Sequence, residues 1–394
     1  MESNSSNPNR GSTLNNFIQD YWDIFVGIFC VALAFYFHKS GLSTLATIAA
    51  AIGIGSLSIT VSEIAEILSS RLQEPYGSFV LTFSAVIVEI ILLYIILLQA
   101  LHNPEVVDTV KGGIISAVIV DMNVLLGLAV FLGGLKFSQQ QHNKETSSTY
   151  TTVLFVTGIA LLVPSLLNTA NHAPEDVEKA SIMIAGALLL FYIVIVIFQT
   201  KTHTHFFQQT ARSRFFRLKR KMAEQNGEST EHVHVSDDDY IFEKFNNIGL
   251  IGSIFLFIAI IALGAEVFAT DGIKVASYYG ISAGLSGLII AMVAVSPEIM
   301  TAIKAAKNDE IQRVVNIAMG ASTVSILLTV PILMILAYLS GIRLVLDFNP
   351  LEIGALLFTI ILAWKTTDDG HTNYFEGIAH LMFFVCFAII AAYY

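Results

Sequence analysis

Apolar stretches recur along the chain, each closed by a short polar or glycine-containing break, at residues 21–38, 43–71, 77–101, 109–135, 150–168, 179–199, 247–278, 280–306, 311–340, 350–365 and 373–393. Each approaches or exceeds the roughly 20 residues an α-helix needs to cross the hydrocarbon core. Eleven such runs predict an all-α polytopic membrane protein. Residues 43–71 and 247–278 outrun the bilayer, which predicts tilt or extension past its surface. The runs show no alternation of the barrel kind. One long hydrophilic insert, residues 200–245, divides the chain.

The informative positions are those that break the apolar pattern. Glu298 follows Pro297 inside the run at 280–306, and a charge at the centre of a spanning helix costs about 2.5–3.5 kcal/mol to insert. An acid kept there is a functional candidate. The alternative is a buried glutamate paired with a lysine, beside a proline that only bends the helix. Pro297 lacks an amide hydrogen, so the helix is expected to kink or unwind near Ser296, freeing carbonyls that can bind a cation. In the first half Glu89 sits mid-helix and the next run places Asp121 and Asn123 at depth. In the second half Ser322, Ser325 and Thr329 recur at i, i+3 and i+7, three hydroxyls on one helix face.

Setting aside the first run, each half holds one long helix, two with intramembrane polar groups and two plainer ones. Five helices per half gives repeats of opposite topology, a design that puts a binding site at the midplane where they meet. The expected organisation is a disordered tail at 1–19, an extra helix at 20–42, a first repeat at 43–199, the loop at 200–245 and a second repeat at 246–394. The tail is Asn/Ser-rich and lacks the basic start, apolar core and cleavage site of a signal peptide.

Composition agrees: 55% of the 394 residues are hydrophobic and 13% charged, against roughly 25% charged in soluble domains, with mean hydropathy +0.69. Net charge −10 leaves no dominant basic face for nucleic acid, and the two cysteines lie in apolar runs, so no disulfide framework or cysteine metal site is available. The insert begins basic (Lys201, Arg212, Arg214, Arg217, Lys219, Arg220, Lys221) and ends acidic. Placing it in the cytoplasm puts 16 of the 21 Lys and Arg on that side, as the positive-inside bias requires. The N-terminus is then cytoplasmic and the C-terminus outside. His203, His205, His232 and His234 could sense a metal, although a solvated linker with a basic amphipathic stretch resting on anionic lipid is the simpler account of the insert. Nothing in the sequence points to an oligomeric state.

Several short pieces, in this order, carry a family likeness: Glu74-Pro75-Tyr76-Gly77, residues 86–89, Gln199-Thr200-Lys201-Thr202-His203, Ser296-Pro297-Glu298, and Asp369-Gly370-His371-Thr372-Asn373-Tyr374-Phe375-Glu376-Gly377. The last is similar to Asp-Gly-x-Ser-Asn-Trp-Leu-Glu-Gly of the calcium:cation antiporter superfamily. From residue 56 onward the chain resembles that superfamily, and within it the ChaA-type calcium(sodium)/proton antiporters of bacteria. The resemblance implies repeats at about 77–135 and 285–341, with metal-binding glutamates at Glu89 and Glu298. It adds Asn123, with Ser322 or Thr323, from the neighbouring helices. It also implies that the two long helices slide as gates, with Glu63, Glu66 and Glu266 as their acids, and that the chain resides in a bacterial inner membrane. Vacuolar and many bacterial relatives have Gly-Asn ahead of each repeat glutamate, where this chain has Ala85-Val86 and Ala294-Val295. Asp121 stands as an oxygen that can replace the missing amides.

Calcium takes six to eight oxygens at about 2.3–2.6 Å. Glu89 and Glu298, with Asp121, Ser296, hydroxyls and water, can supply them, and the same pair can be discharged by two protons instead. The expectation is therefore proton-coupled export of Ca2+ by alternating access, with Na+ or K+ exchange for protons as the near alternative and no resident cofactor. Within residues 43–71, Glu63 and Glu66 could form a proton path toward the cytoplasm; ordinary pairing, with Arg71 in reach of Glu66, is the equal alternative. The acids at 368–376 and His380 read as a solvated helix start. An intramembrane hydrolase would need a nucleophile–base set or an H-E-x-x-H motif, and neither occurs.

Overall fold

The computed structural model describes residues 9–72, 76–207 and 241–393. Its helices are α1 (Asn9–Lys39), α2 (Ser43–Arg71), α3 (Tyr76–Leu98), α4 (Val106–Ile119), α5 (Leu126–Phe137), α6 (Lys144–Thr169), α7 (Pro174–Ile197), α8 (Asn247–Tyr279), α9 (Ala283–Lys307), α10 (Ile311–Val324), α11 (Val330–Leu339), α12 (Pro350–Thr367) and α13 (Tyr374–Tyr393). Eleven stretches among the described residues are long and apolar enough to span, α4–α5 and α10–α11 each counting as one. Large apolar side chains such as Phe29, Leu190 and Leu339 face outward, whereas Ile54, Leu57, Ile64, Leu92 and Ile114 are fully buried. This pattern suits a protein whose surroundings are lipid.

Helix α1 begins at Asn9, so the polar tail is not unstructured throughout. An established helix extends at one hydrogen bond per residue without a new nucleus, and it carries three turns of Asn/Ser-rich sequence beyond the apolar run. Residues 1–8 of the expected tail lie outside the described residues. So do 208–240 of the insert, with His232, His234 and most of its charge blocks. Before them, a π-helical segment Phe198–Thr202 and a 3-10 turn Thr204–Phe207 close α7. The carbonyl of Phe206 accepts from Thr146 and Asn143, and that of Phe207 from Asn316, pinning the turn to α6 and α10. His203 stacks on Phe198 with centroids 4.2 Å apart.

The halves match in a feature finer than helix count. After 14 residues of α4 the backbone enters a π-helical segment, Val120–Leu125, before α5. After 14 residues of α10 it enters another, Ser325–Thr329, before α11. Single π-turns inside α-helices concentrate at functional sites, and here they sit at equivalent places in the two halves.

Helices α4–α5 and α9 run parallel in close contact. A Cβ on Gly287 would lie 2.5 Å from the Gly112 carbonyl carbon, so only glycine permits this approach. At the other end the Lys136 ammonium donates to the Lys307 carbonyl at 3.0 Å. Counting from this crossing at about 1.5 Å per residue, Asp121 and Glu298 both lie roughly 15 Å further along, at the same depth. Helix α2 follows the opposite flank of α9, with Ser62 Oγ 3.4 Å from Thr301 Oγ1 and Lys304 Nζ 3.3 Å from Glu63. The extra helix α1 packs on α2 and α8.

On the insert side, strand β1 (Gln139–Gln141) pairs antiparallel with β2 (His371–Asn373), Gln140 opposite Thr372. This ribbon accounts for the motif at 369–377. Gly370 turns at φ +84°. Asn373 Oδ1 accepts from the Phe375 amide, while Glu376 accepts from the Asn373 amide. A Cβ on Gly377 would collide with the Phe131 backbone. Gln140 Nε2 donates to the Ala306 carbonyl at 2.9 Å and to Asp309 at 3.0 Å, joining the ribbon to the α9–α10 turn. Burial pushes the neighbouring His142 imidazole down from its ordinary pKa.

Candidate cation-binding site

Helix α3 buries Glu89 against the second π-segment. Ser325 Oγ donates to Glu89 Oε2 at 2.8 Å, with Thr329 Oγ1 behind it at 3.4 Å. One turn earlier on α10, Ser322 Oγ donates to Asp121 Oδ2 at 3.1 Å, and Asp121 lies in the first π-segment. The hydroxyl face at 322, 325 and 329 is thus shared between two acids of the first half. Asp121 stands within electrostatic range of both Glu298 and Glu89, and Glu298 within range of Glu89. The structure brings these three acids together.

Each acid also keeps an oxygen unspent. Glu89 Oε1, Asp121 Oδ1, Glu298 Oε2 and the hydroxyl of Thr323 are buried without a hydrogen-bond partner. A carboxylate buried without compensation costs several kcal/mol. The cluster therefore needs either protons or cations to be stable. Among the described residues no three His, Cys, Asp or Glu side chains already converge at metal-ligating geometry.

Helix α9 does not unwind at Pro297; it is continuous through Glu298. The proline deprives the Val293 carbonyl of its usual amide donor, and Ser296 Oγ replaces that donor at 2.8 Å. Ser296 is therefore committed to its own helix. The irregular backbone expected here lies instead one helix further on in each half, in the π-segments.

Asn123 faces away from Asp121. Its Nδ2 donates to the Ile119 carbonyl at 3.1 Å and to Thr359 Oγ1 at 2.9 Å, and its Oδ1 lies 3.0 Å from His380 Nδ1. His380 Nε2 reaches Thr366 Oγ1 at 3.0 Å. The solvated helix start expected around His380 is a fully buried network tying α12 and α13 to the first π-segment, because α13 packs that face on α5. Thr359 and Thr366 complete it, and nothing in their local sequence marks them.

Of the gate acids, Glu63 pairs with Lys304 and Glu66 with Arg313. The alternative Glu66–Arg71 pair does not form: α2 turns Glu66 toward α10, while Arg71 donates to the carbonyls of Phe245 and Glu243 before α8. Glu266 lies on an exposed face of α8, apart from the cluster. Two further buried acids, Asp271 and Asp23, tie helices together. Asp271 binds His38 at 2.7 Å, Lys274 at 3.0 Å and Ser43 at 3.1 Å, tying the far ends of α1, α2 and α8. Asp23 accepts from Thr60. A cavity of about 420 Å³, lined by Asp108, Lys111, Ser116, Asp347 and Glu352 among others, opens where α4, α9 and α12 begin.

A family model described as sodium/calcium exchanger protein matches residues 38–201 and 249–393. Among curated proteins, the chain is 28% identical over 343 residues to the sodium-potassium/proton antiporter ChaA of Escherichia coli (strain K12), covering 86% of each. It is 24% identical to the Ca(2+)/H(+) antiporter of Aphanothece halophytica, over 73% of this chain and 74% of that one. The fold is similar to native YfkE, with TM-score 0.74 and 19% identity over 94% of this chain and all of the other. It is also similar to the H+/Ca2+ exchanger CAX, with TM-score 0.66 and 13% identity over 95% and 92%.

Proposed function

The chain belongs to the sodium/calcium exchanger protein family, and on that footing we propose that it exchanges Ca2+ for protons across a bacterial inner membrane by alternating access. The observation that carries this reading is the cluster of buried Glu89 and Asp121 with half-buried Glu298, each with one buried oxygen lacking a partner. One calcium or two protons cancels two of the three negative charges of the cluster, and the empty, fully charged cluster is too costly to occlude. Only loaded forms can then cross between the two open states, which couples the fluxes.

In this reading Glu89, Glu298 and Asp121 supply the charged ligands, while Ser322 and Thr323 add oxygens from α10. Residues 43–199 and 246–394 act as inverted five-helix repeats, joined by the loop at 200–245. The long helices α2 and α8 slide against α9 and α10, and Glu63 and Glu66 line the approach. The insert side, with Arg71, Lys304 and Arg313, is cytoplasmic, the N-terminus with it, and the C-terminus lies outside. The membrane potential then contributes about 2.3 kcal/mol per 100 mV for each net charge moved.

A second reading, exchange of Na+ or K+ for protons, is favoured by the match to a relative named as a sodium-potassium/proton antiporter. One of the protons would then stay on the cluster, so that it carries the same charge as with calcium bound. Cation-induced proton flux in everted vesicles, scanned over Ca2+, Na+ and K+, tests both. Calcium should elicit the largest flux, and Glu298→Gln should abolish it without loss of inserted protein. Undiminished calcium flux in that variant would overturn the shared site, and flux with Na+ or K+ alone would move the assignment to the second reading.

A further inference from the structure

Helix α1 lies outside both repeats, yet it carries a carboxylate into the protein interior. Asp23 is 2% exposed and its Oδ1 has no partner. Thr60 of α2 donates to its Oδ2, and Ser56, one turn away, donates to its backbone carbonyl at 2.8 Å. If α1 served packing alone, an apolar residue would fill this place at less cost.

The position on α2 is what gives Asp23 a role. Gly55, immediately before Ser56, passes the Ser296 hydroxyl, where a Cβ would lie 3.3 Å away, two residues from Glu298. One turn beyond Thr60 comes Glu63 with its Lys304 partner. Asp23 therefore stands between the midplane cluster and the insert-side end of α2, along a stretch of roughly 12 Å. Tyr21, two residues earlier, accepts a hydrogen bond from the Ile241 amide, which fixes this end of α1 beside the insert. Among charged groups, Lys304 of α9 lies within electrostatic range of Asp23, and it pairs in turn with Glu63 of α2. On α8, Asp271 is held at the opposite end of α1 by His38 and Ser43 and pairs with Lys274, and Glu266 lies on an exposed face.

We propose that Asp23 is a further proton-carrying residue of the exchange, receiving protons released by the midplane glutamates and passing them to the cytoplasmic end of α2. In the first step a carboxyl O–H of Glu298 breaks and an O–H forms at Asp23 Oδ1, through hydroxyl or water. In the second the Asp23 O–H breaks and the proton moves to Glu63 or to water at the mouth. This role rests on the antiport reading above.

The test uses full-length protein in proteoliposomes, with calcium binding measured separately by calorimetry. Asp23→Asn should slow calcium-driven proton flux roughly tenfold or more and flatten its dependence on cytoplasmic-side pH. Calcium affinity should stay within about twofold of wild type, and Asp23→Glu should restore most of the flux. Mass spectrometry of wild-type protein treated with dicyclohexylcarbodiimide should find an adduct on Asp23 that increases as pH falls from about 8 to 5. Wild-type flux and pH profile in Asp23→Asn, or no adduct on Asp23 at any of these pH values, overturns the proposal. If instead Glu298→Gln exchanges normally, the antiport site itself fails, whatever Asp23 does.

Discussion

The two π-segments, Val120–Leu125 and Ser325–Thr329, share a backbone but not a chemistry. Each follows 14 residues of α-helix in the second spanning helix after the long one. The first carries a carboxylate and an amide, the second two hydroxyls that turn onto Glu89. The fold thus repeats its geometry while dividing labour: charge comes from the first half's segment, and neutral donors come from the second. The division is finer still within the first segment, where Asp121 faces the acid cluster and Asn123 braces α12 and α13.

Variants that erase this division separate its parts. Losing either glutamate should have the largest effect: Glu89→Gln and Glu298→Gln should each lower calcium/proton exchange by about a hundredfold or more, measured in everted vesicles normalised to inserted protein. Next comes Asp121→Asn, which removes the charge of the first segment. It should weaken calcium binding roughly tenfold and sodium binding less, since the divalent ion depends more on carboxylate count. Ser325→Ala should raise the half-saturating calcium concentration less, by about threefold to tenfold, the worth of one ordinary hydrogen bond. In contrast, Asn123→Ala should cost about 2–3 kcal/mol of stability, seen as a lower melting temperature, while calcium affinity stays within roughly threefold. A matching loss of affinity would place Asn123 at the site and blur the distinction between the two residues.

The smallest effect concerns the ribbon on the insert side. Buried His142 binds its proton less readily in the folded protein than in the unfolded chain. The unfolded state then takes up the extra proton below about pH 6.5, and stability falls as pH drops through that value. His142→Gln should flatten the dependence of melting temperature on pH between about 5 and 7.

Much of this architecture is legible in the sequence. Lipid demands about 20 apolar residues per helix, so the eleven spans announce themselves, and an acid inside one is rare enough to stand out. Glu89, Asp121, Glu298 and the hydroxyl stripe were visible for that reason. The π-segments were not, because a turn closed one residue later leaves no mark in composition. Pro297 drew the expectation of broken helix to α9, but a serine one residue earlier was sufficient to mend it. Asp23 stands at the edge of an apolar run and reads as interfacial until α2 is seen packed over it. Partners far apart in sequence, such as Glu66 with Arg313 or His380 with Asn123, depend on which helix faces which. No local pattern encodes that choice.

The central claim is that Glu89 and Glu298 form one site that calcium and protons occupy in turn. It is tested most directly by adding calcium to purified, weakly buffered protein and recording the protons released. The account predicts release that saturates with calcium binding in wild type and is lost in both Glu89→Gln and Glu298→Gln. Calcium binding with no proton release, or wild-type release in either variant, would contradict it.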